Sequence, residues 1–307
     1  MTRKGIGHPA EGAGRMSEPI VVGVDGSPEA LYAVDWAAAE AGRRRLPLRI
    51  VHIAARWEYH VRADAEPGLG APRPEAAGLR VLEAAEERAG AFASVEVGTR
   101  LGVGHIPRTL LEEAADAALL VLGTHGTGGL TRLLLGSVSR QATEHARCPV
   151  VIVPPDTGPR NPEVVIGIDG SESSADAVGF ALEEAALRDV ALHAVHAWSH
   201  PESPPGIRPA VYDKAEAERE GARLLSEALA GWSDREPGVP VTQQVVEGGP
   251  VPVLIEASRT AELLVVGARG RGGFPGLHLG STSHTVLHQA KGPVAVVRAR
   301  PARTPPG

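Results

Sequence analysis

The chain carries the same set of short motifs twice, at a constant offset of 144 residues. The first copy has Gly-Val-Asp-Gly-Ser around Asp25, and the second has Gly-Ile-Asp-Gly-Ser around Asp169. Further along, Gly123 recurs as Gly267 at the same offset. Because one offset holds for the whole set, a complete domain has been duplicated with no net insertion between the motifs. The 307 residues are enough for two domains of about 150 residues each.

The repeat also sets the expected domain boundaries. We expect a first domain over residues 18–155 and a second over residues 162–299, joined by a short Pro-rich linker. Residues 1–17 and 300–307 are rich in Gly, Pro and charged residues, so we expect a disordered N-terminal extension and a disordered tail. Met16, just before the first apolar run, is an alternative start of the chain.

Composition argues against several classes of protein. With 43% hydrophobic but only 3% aromatic residues, the cores must consist of Val, Leu, Ile and Ala. The net charge of −6 and the lack of a long basic block disfavour nucleic-acid binding. No apolar run approaches the roughly 20 residues of a transmembrane helix, and no signal peptide is evident. Cys148 is the single cysteine, interpreted as a packing residue, and we expect a cytoplasmic protein.

Short apolar runs alternate with helical stretches in both copies. The runs are mostly β-branched and bounded by Gly, Pro or Asp, which is typical of strands buried on both faces of a parallel sheet. The alternation predicts an α/β fold with two tandem doubly wound domains. The predicted strands are Ile20–Val24, Leu48–Ile53, Ala93–Val97, Leu119–Leu122 and Val150–Val153, then Val164–Ile168, Ala191–Val195, Val241–Val246, Leu263–Val266 and Val294–Val297. The predicted helices are Pro28–Arg43 with Ser27 as N-cap, Glu75–Ala89, Ile106–Ala117 and Ser137–His145, then a helix capped by Ser171, Val211–Leu229, Val251–Ser258 and Ser281–Gln289.

A glycine pattern, Gly-x2-Gly-x9-Gly-Ser, follows the fourth predicted strand of each copy. In the first copy it consists of Gly123, Gly126, Gly136 and Ser137. The first two glycines allow a sharp turn and a close approach of the backbone to a ligand. The Gly-Ser pair opens a helix, where free backbone N–H groups and the helix dipole favour an anion. Because the same spacing occurs twice between a strand and a helix, it predicts a phosphate-binding loop in each domain.

An aspartate ends the first predicted strand of each copy, Asp25 in the first and Asp169 in the second. In open α/β sheets, ligands bind at the carboxyl ends of the strands, near the point where the strand order reverses. Each carboxylate is therefore a candidate acceptor for a ribose or an adenine. Alternatively, each aspartate only orders the Gly-Ser turn that follows it. Both interpretations are compatible with the sequence.

These motifs resemble those of the universal stress proteins, in the branch of the family that binds ATP. The resemblance covers about residues 19–298 and rests on the glycine spacing and on Val-Asp-Gly-Ser at the end of the first strand. It implies a five-stranded parallel sheet of order 3-2-1-4-5 in each domain, similar to that of the adenine nucleotide α-hydrolases. It also implies one ATP site per domain, with or without Mg²⁺, and a backbone contact to adenine at the end of the second strand. The implied contact residues are Asp25, Val51 (through its backbone), Leu122, Gly123, His125, Gly126, Gly136, Ser137, Val138 and Ser139, then Asp169, Val195, Val266, Gly267, Arg269, Gly270, Gly280, Ser281, Thr282 and Ser283.

The two copies differ at His125, which corresponds to Arg269. Arginine is always charged and pairs with phosphate, so the second site is predicted to bind phosphates more tightly, unless these side chains face solvent. His52 and His196 share a repeat position and are interpreted as structural rather than as metal-binding or catalytic. The sequence contains no Cys/His cluster with zinc spacing, no Walker A motif and no Gly-x-Ser-x-Gly elbow.

The resemblance implies a nucleotide-dependent regulator of the stress response, without an evident catalytic residue. Two alternatives stay open: a slow ATPase or nucleotidyl-transfer enzyme, and an interaction module that binds no nucleotide. The apolar runs Val150–Val153 and Val294–Val297 are predicted edge strands, which need a cover. The family implies that they pair with each other, as an internal pseudo-dimer. A homodimer and a protein partner of unknown identity are further expectations of the family.

Overall fold

The computed structural model describes residues 18–55, 74–92, 95–126, 135–155, 158–199, 213–232, 235–271 and 278–298. Both terminal segments that the sequence predicts to be disordered, 1–17 and 300–307, lie outside these described residues. Residues 211 and 212, the first two of one predicted helix, also lie outside them, and the described helix starts at Lys214.

Helices and strands alternate through both halves. The first half contains β1 (Ile20–Gly23), α1 (Pro28–Arg44), β2 (Leu48–Ala55), α2 (Pro74–Ala89), β3 (Val97–Gly104), α3 (Ile106–Glu113), β4 (Leu119–Gly123), α4 (Ser137–His145) and β5 (Val150–Val153). The second half contains β6 (Asn161–Gly167), α5 (Glu172–Arg188), β7 (Ala191–Trp198), α6 (Lys214–Leu229), β8 (Val241–Glu247), α7 (Pro250–Ala257), β9 (Ala261–Gly267), α8 (Ser281–Gln289) and β10 (Val294–Val297). The predicted bounds of α4 and α8 agree with the structure at both ends.

The described strands form one sheet of ten strands, in the order β3-β2-β1-β4-β5-β10-β9-β6-β7-β8. The strands within each half are parallel, as expected. The order of the strands confirms the expected 3-2-1-4-5 in both domains. At the centre, β5 and β10 pair antiparallel, with Ala295 opposite Val151. The two apolar last strands therefore cover each other's edge, and the halves form a pseudo-dimer within one chain.

Helices cover both faces of the sheet. The helices α1, α2, α5 and α6 pack on one face, and α3, α4, α7 and α8 pack on the other. In β1, Ile20 and Val22 pack in the core on the α1 side of the sheet, and Val21 packs in the core on the α3 side. All three side chains are fully buried. A strand that is buried on both faces does not alternate apolar and polar residues, which explains the continuous apolar run of β1. In the part of the chain that the structure describes, every helix is too short or too polar to span a membrane.

The third strand of the first domain begins where the sequence predicted it to end. The predicted strand was Ala93–Val97, whereas β3 extends from Val97 to Gly104. An edge strand needs few apolar side chains, because backbone pairing holds it, and β3 pairs with β2 along all eight of its residues. The repeat offset indicates the same place, since Val97 lies 144 residues before Val241, where β8 begins.

The two predicted N-caps differ in the structure. Ser27 Oγ accepts the N–H of Ala30 at 3.2 Å and caps α1 as predicted. Ser171 occupies the N-cap position of α5, but its side chain makes no capping bond. Its hydroxyl donates instead to the carbonyl of Arg269 at 3.3 Å, so the predicted side-chain cap is wrong. This bond ties the turn after β6 to the loop after β9.

A buried ionic tetrad joins the halves between α1 and α5. Arg44 contacts Glu40 at 2.6 Å and also contacts Glu184. Arg188 contacts Glu40 at 2.7 Å and also contacts Glu184. Both glutamate side chains are 0% exposed, and Arg188 and Arg44 are 2% and 10% exposed. Since each pair recurs at the offset of 144 residues, the tetrad has the pseudo-twofold symmetry of the whole chain.

The two carboxyl groups of the tetrad titrate as a coupled pair. Burial raises the pKa of Glu184 to about 7 against the attraction of Arg188, and the charge of Glu40 raises it further. Burial also acts to raise the pKa of Glu40, but Arg188 and Arg44 outweigh it and hold that pKa below its usual value. The second proton of the pair therefore leaves close to neutral pH.

Candidate functional site

Most of the predicted site residues of each domain lie at the carboxyl ends of two adjacent central strands, β1 and β4 in the first half and β6 and β9 in the second. Val51 and Val195 lie in the neighbouring strands β2 and β7. The connections from β1 and β4 lead to helices on opposite faces, so their carboxyl ends mark the switch point of the doubly wound sheet. Between Gly123 and α4, the N–H of Gly136 donates to the carbonyl of Thr124 at 2.8 Å and closes the loop. In the second domain, the N–H of Gly280 donates to the carbonyl of Ala268 at 2.7 Å. The two loops are therefore closed by the same bond.

Both α4 and α8 begin without a side-chain cap. Their N-cap residues are Gly136 and Gly280, no side chain accepts a capping bond, and the first turn contains no acidic residue. The first-turn N–H groups and the positive end of the helix dipole are thus left to a ligand, and this arrangement favours an anion. The residues that supply these N–H groups are Ser137, Val138 and Ser139 in α4, and Ser281, Thr282 and Ser283 in α8.

The glycines that end β4 and β9 permit close packing of a strand against a helix. A Cβ atom at Gly123 would lie 3.0 Å from the backbone of Glu29 in α1. A Cβ atom at Gly267 would lie 3.0 Å from the backbone of Ser173 in α5. A larger residue would push the helix away from the strand end. The structure gives these two glycines a packing role, and a ligand contact by them stays a prediction.

Each aspartate orders the turn that follows its strand, and Asp169 also binds the second loop of its site. Asp25 and Asp169 each accept, through Oδ1, the N–H of the serine two residues later, at 3.0 Å. Asp169 Oδ2 also accepts the N–H of Arg271 at 3.1 Å, and a Cβ atom at Gly126 would collide with Asp25 Oδ2. The role of the aspartates in ordering the Gly-Ser turn is confirmed. A contact with ribose or adenine stays a prediction.

The structure corrects the position of Val51 in its strand. The sequence placed Val51 at the end of the second strand, but β2 continues to Ala55. The carbonyl of Val51 already accepts the N–H of Val24 at 2.9 Å, so it belongs to the sheet. Backbone groups of successive strand residues face alternate sides, so Ile53 is the next residue that faces β1, beyond the end of that strand. The apolar run predicted for this strand ended at Ile53, and this end of the run was the sequence signal that pointed to Ile53 rather than Val51.

The second domain repeats this correction. The sequence predicted that Val195 ends its strand, but β7 continues to Trp198. The carbonyl of Val195 accepts the N–H of Ile168 at 2.9 Å. By the same alternation, Ala197 is the residue whose backbone N–H and C=O face the open end of the site. Reasoning from the sequence named neither Ile53 nor Ala197, and a nucleotide contact by either residue is a prediction.

The hydroxyl groups of Ser139 and Ser283 are directed into the protein. Each donates to the carbonyl of the glycine that ends the preceding strand, at 2.8 Å and 2.7 Å. Both serines are buried, whereas Ser137 and Ser281 are exposed at the helix start. A hydroxyl proton serves one acceptor, so Ser139 and Ser283 offer a phosphate their backbone N–H groups only.

The paired histidines have a structural role, as predicted. His52 Nδ1 donates to the carbonyl of Val24 at 2.8 Å, and His196 Nδ1 donates to the carbonyl of Ile168 at 2.7 Å. A donor to a carbonyl must carry its hydrogen, so this bond assigns the proton to Nδ1 in both rings. Each ring ties the second strand of its domain to the residue that follows the first strand.

The two sites differ in the loop after the fourth strand. In the first domain, His125 is half-buried and its Nδ1 lies 2.9 Å from Thr124 Oγ1. Its Nε2 is buried and has no hydrogen-bond partner among the described residues. In the second domain Arg269 is exposed, and a Cβ atom at Gly170 would lie 2.7 Å from Arg271 Nη2. In the second domain, Arg271 therefore lies beside the turn after β6, whereas the Arg269 side chain is exposed.

Comparisons with known proteins agree with this architecture. The model of the universal stress protein family matches residues 16–154 and 161–298. Universal stress protein Rv2005c of Mycobacterium tuberculosis is 38% identical over 301 residues, which cover 92% of this chain and 98% of the relative. Universal stress protein Rv2623 of the same organism is 38% identical over 303 residues, which cover 93% and 98%. A universal stress protein of Archaeoglobus fulgidus has the same fold, with a TM-score of 0.65 at 16% identity over 92% of this chain and 97% of that one. The chain therefore belongs to the universal stress protein family, with a family domain in each half.

Proposed function

We propose that this protein binds ATP, with or without Mg²⁺, at one site in each domain, and that it acts as a nucleotide-dependent regulator of the stress response. The observation that carries the proposal is the matched pair of helix starts, α4 and α8, which lack a side-chain cap and an acidic first turn. Each lies at the switch point of its sheet, behind a loop that a backbone hydrogen bond closes. This combination favours a ligand with phosphate groups.

The neighbouring backbone supports a nucleoside on the same ligand. The N–H and C=O of Ile53, and those of Ala197 in the second domain, face the open end beyond the first strand. A base such as adenine has a donor and an acceptor on one edge, which the C=O and N–H of a single residue match. Asp25 and Asp169 flank this place and have acceptor capacity for ribose hydroxyls beyond their bonds to the turn.

The charges support tighter phosphate binding in the second domain. Arg269 and Arg271 bring two permanent positive charges to that site, whereas His125 offers an imidazole to the first. Two ATP molecules per chain, bound with unequal affinity, are therefore expected.

Regulation rather than turnover is proposed because the carboxylates of the sites are already engaged. Asp25 and Asp169 each hold the N–H of a turn, and the first turns of α4 and α8 contribute no acid or base. A homodimer, a protein partner and a cytoplasmic location are further proposals that rest on the family resemblance.

Native mass spectrometry and calorimetric titration of the full chain with ATP test the proposal. The variant Gly136→Ala with Gly280→Ala should lose most of the affinity while it stays folded. A Cβ atom at Gly136 would lie 3.3 Å from the carbonyl oxygen of Thr124, and one at Gly280 would lie 3.4 Å from the backbone nitrogen of Gly270, so only small shifts are needed.

The matched control is Gly98→Ala with Gly238→Ala, because a Cβ atom at either position would meet nothing within 4 Å. ATP affinity equal in both double variants would contradict the site, and no ATP binding at all would favour an interaction module. Steady release of phosphate from ATP by the wild-type protein, lost in the first double variant, would establish the enzyme alternative instead.

A further inference from the structure

The second domain contacts the first domain directly at Leu135, the residue before the start of α4. The helix α8 begins at the second candidate site and ends, nine residues long, near the first. In its last turn, His288 Nδ1 accepts the backbone N–H of Leu135 at 3.0 Å. Leu135 is buried and immediately precedes Gly136, the N-cap of α4. A side chain of one domain thus holds the residue before the phosphate-binding helix start proposed for the other.

The surroundings of His288 favour its neutral form. Burial lowers the pKa of His288, and the charges of His284, His125 and Arg140 lower it further. His284 lies one turn earlier on α8, with 4.5 Å between the ring centroids. His125 faces the ring from the loop after β4, and Arg140 faces it from α4. Since Nδ1 accepts a hydrogen bond, the proton of the neutral ring lies on Nε2.

The contact is specific to the first site. The residue at the pseudo-symmetric position of His288 is Glu144, whose carboxylate pairs with Arg140 at 2.8 Å. Its neighbour His145 approaches the loop of the second domain through its ring, 4.9 Å from the ring of His278. The duplication has therefore diverged at this point, so that a titratable acceptor serves one loop only.

We propose that His288 is a positioning residue for the first nucleotide site, acting from the second domain, and that protonation of its ring releases Leu135, next to the start of α4. An imidazolium ring carries hydrogen on both nitrogens and cannot accept the N–H of Leu135. Leu135 is then held at neutral and alkaline pH and released in acid. The nucleotide part of this inference rests on the proposed function, whereas the loop contact does not.

Hydrogen exchange of the Leu135 amide tests the contact without any ligand. In the wild-type protein, the protection factor should fall by about threefold to tenfold between about pH 8 and the lowest pH at which circular dichroism shows the protein folded, the size expected for one net hydrogen bond. His288→Asn places an amide oxygen near the position of Nδ1 and does not titrate, so protection should persist at both pH values. His288→Leu should lose protection at both. His284→Asn, on the same helix, should keep the fall but move it to higher pH, because the charge of His284 no longer opposes protonation of His288. Protection of the wild-type amide that is equal at both pH values, or unchanged in His288→Leu, would overturn the proposal.

Titration with ATP then tests the consequence for binding. The Gly280→Ala background isolates the first site. In that background, acid should lower the affinity about threefold to tenfold more in the protein that retains His288 than in the one with His288→Asn. The His288→Asn protein corrects for protonation of ATP itself. Equal pH profiles for these two proteins would overturn the positioning role. Absence of ATP binding in every variant would refute the proposed function, and the amide measurement alone would then decide the inference.

Discussion

Arg188→Met should destabilise the protein strongly, although it leaves both candidate sites intact. The Arg188 side chain is 2% exposed and contacts the carboxylates of Glu40 and Glu184, both fully buried. Methionine replaces the aliphatic stem but not the charge. Arg44 would then be the one guanidinium shared by the two carboxylates of the tetrad.

The expected cost is about 3–5 kcal/mol, the range for removing one partner from a buried ion pair. Loss of the contact between the Arg188 guanidinium and the Trp36 ring, 5.5 Å from its centroid, acts in the same direction. Proton uptake by Glu184, whose pKa burial raises to about 7, offsets part of the cost in acid. The destabilisation should therefore be larger at about pH 8 than at about pH 6.

Urea unfolding of the full chain, followed by circular dichroism, measures this cost as a change in the free energy of unfolding. Arg88→Met is the matched control, because Arg88 pairs with Asp35 at the surface, where their side chains are 45% and 32% exposed. This exposed pair should contribute about 1 kcal/mol or less. Adding Glu184→Gln to Arg188→Met should restore part of the stability, because it removes a carboxylate that has lost one of its partners.

A loss of about 1 kcal/mol or less for Arg188→Met, equal to that of Arg88→Met, would refute the reasoning. It would mean that the tetrad is hydrated in solution and that its burial is not what ties α1 to α5.

Three further changes have defined outcomes. Glu184 binds its proton more tightly in the folded protein, where its pKa is about 7 against an ordinary value of 4.5. Its contribution to stability is therefore present at low pH and is lost as the pH rises from 4.5 through about 7. Glu184→Gln should abolish this fall in stability, measured as unfolding midpoints at pH values across the same range. Ser139→Ala should cost about 1–3 kcal/mol in urea unfolding, because it leaves the buried carbonyl at the end of β4 without its donor, while the exposed Ser137→Ala should cost little. Gly126→Ala should weaken ATP binding at the first site in calorimetry, because the methyl group collides with the Asp25 carboxylate, which orders the turn after β1. Unchanged affinity would show that this close approach of Gly126 to Asp25 is dispensable.

Much of the fold was predictable because its signals are local. The strand β1 is an apolar run closed by Gly and Asp, and α4 begins at a Gly-Ser pair, so both could be placed from neighbouring residues. The repeat offset then predicted that the second half contains the same elements in the same order. Where the local signal was weak, the prediction failed: β3 is an edge strand defined by its pairing with β2, and its few apolar residues, Val97, Leu101 and Val103, alternate with Gly and polar residues.

The site was predictable as a place but not in its contacts. The glycine spacing located both loops, yet it did not show that Gly123 serves a helix contact or that the hydroxyl of Ser139 is directed inward. These roles depend on which backbone lies opposite each residue. The same holds for Val51, whose carbonyl accepts the N–H of Val24. The carbonyl of Ile53 lies beyond the end of β1.

The sequence by itself determined the duplication, the alternation of strands and helices in each domain and the position of the two phosphate-binding loops proposed here, because periodicity, caps and glycine spacing are properties of adjacent residues. Only the tertiary structure decided how the halves meet. Glu40 and Arg44 form an ordinary i,i+4 pair along α1, and Leu135 and His288 are 153 residues apart. The antiparallel pairing of β5 with β10 brings α1 against α5 and the last turn of α8 against the first loop. Such contacts follow from the packing of distant segments, which no local pattern encodes.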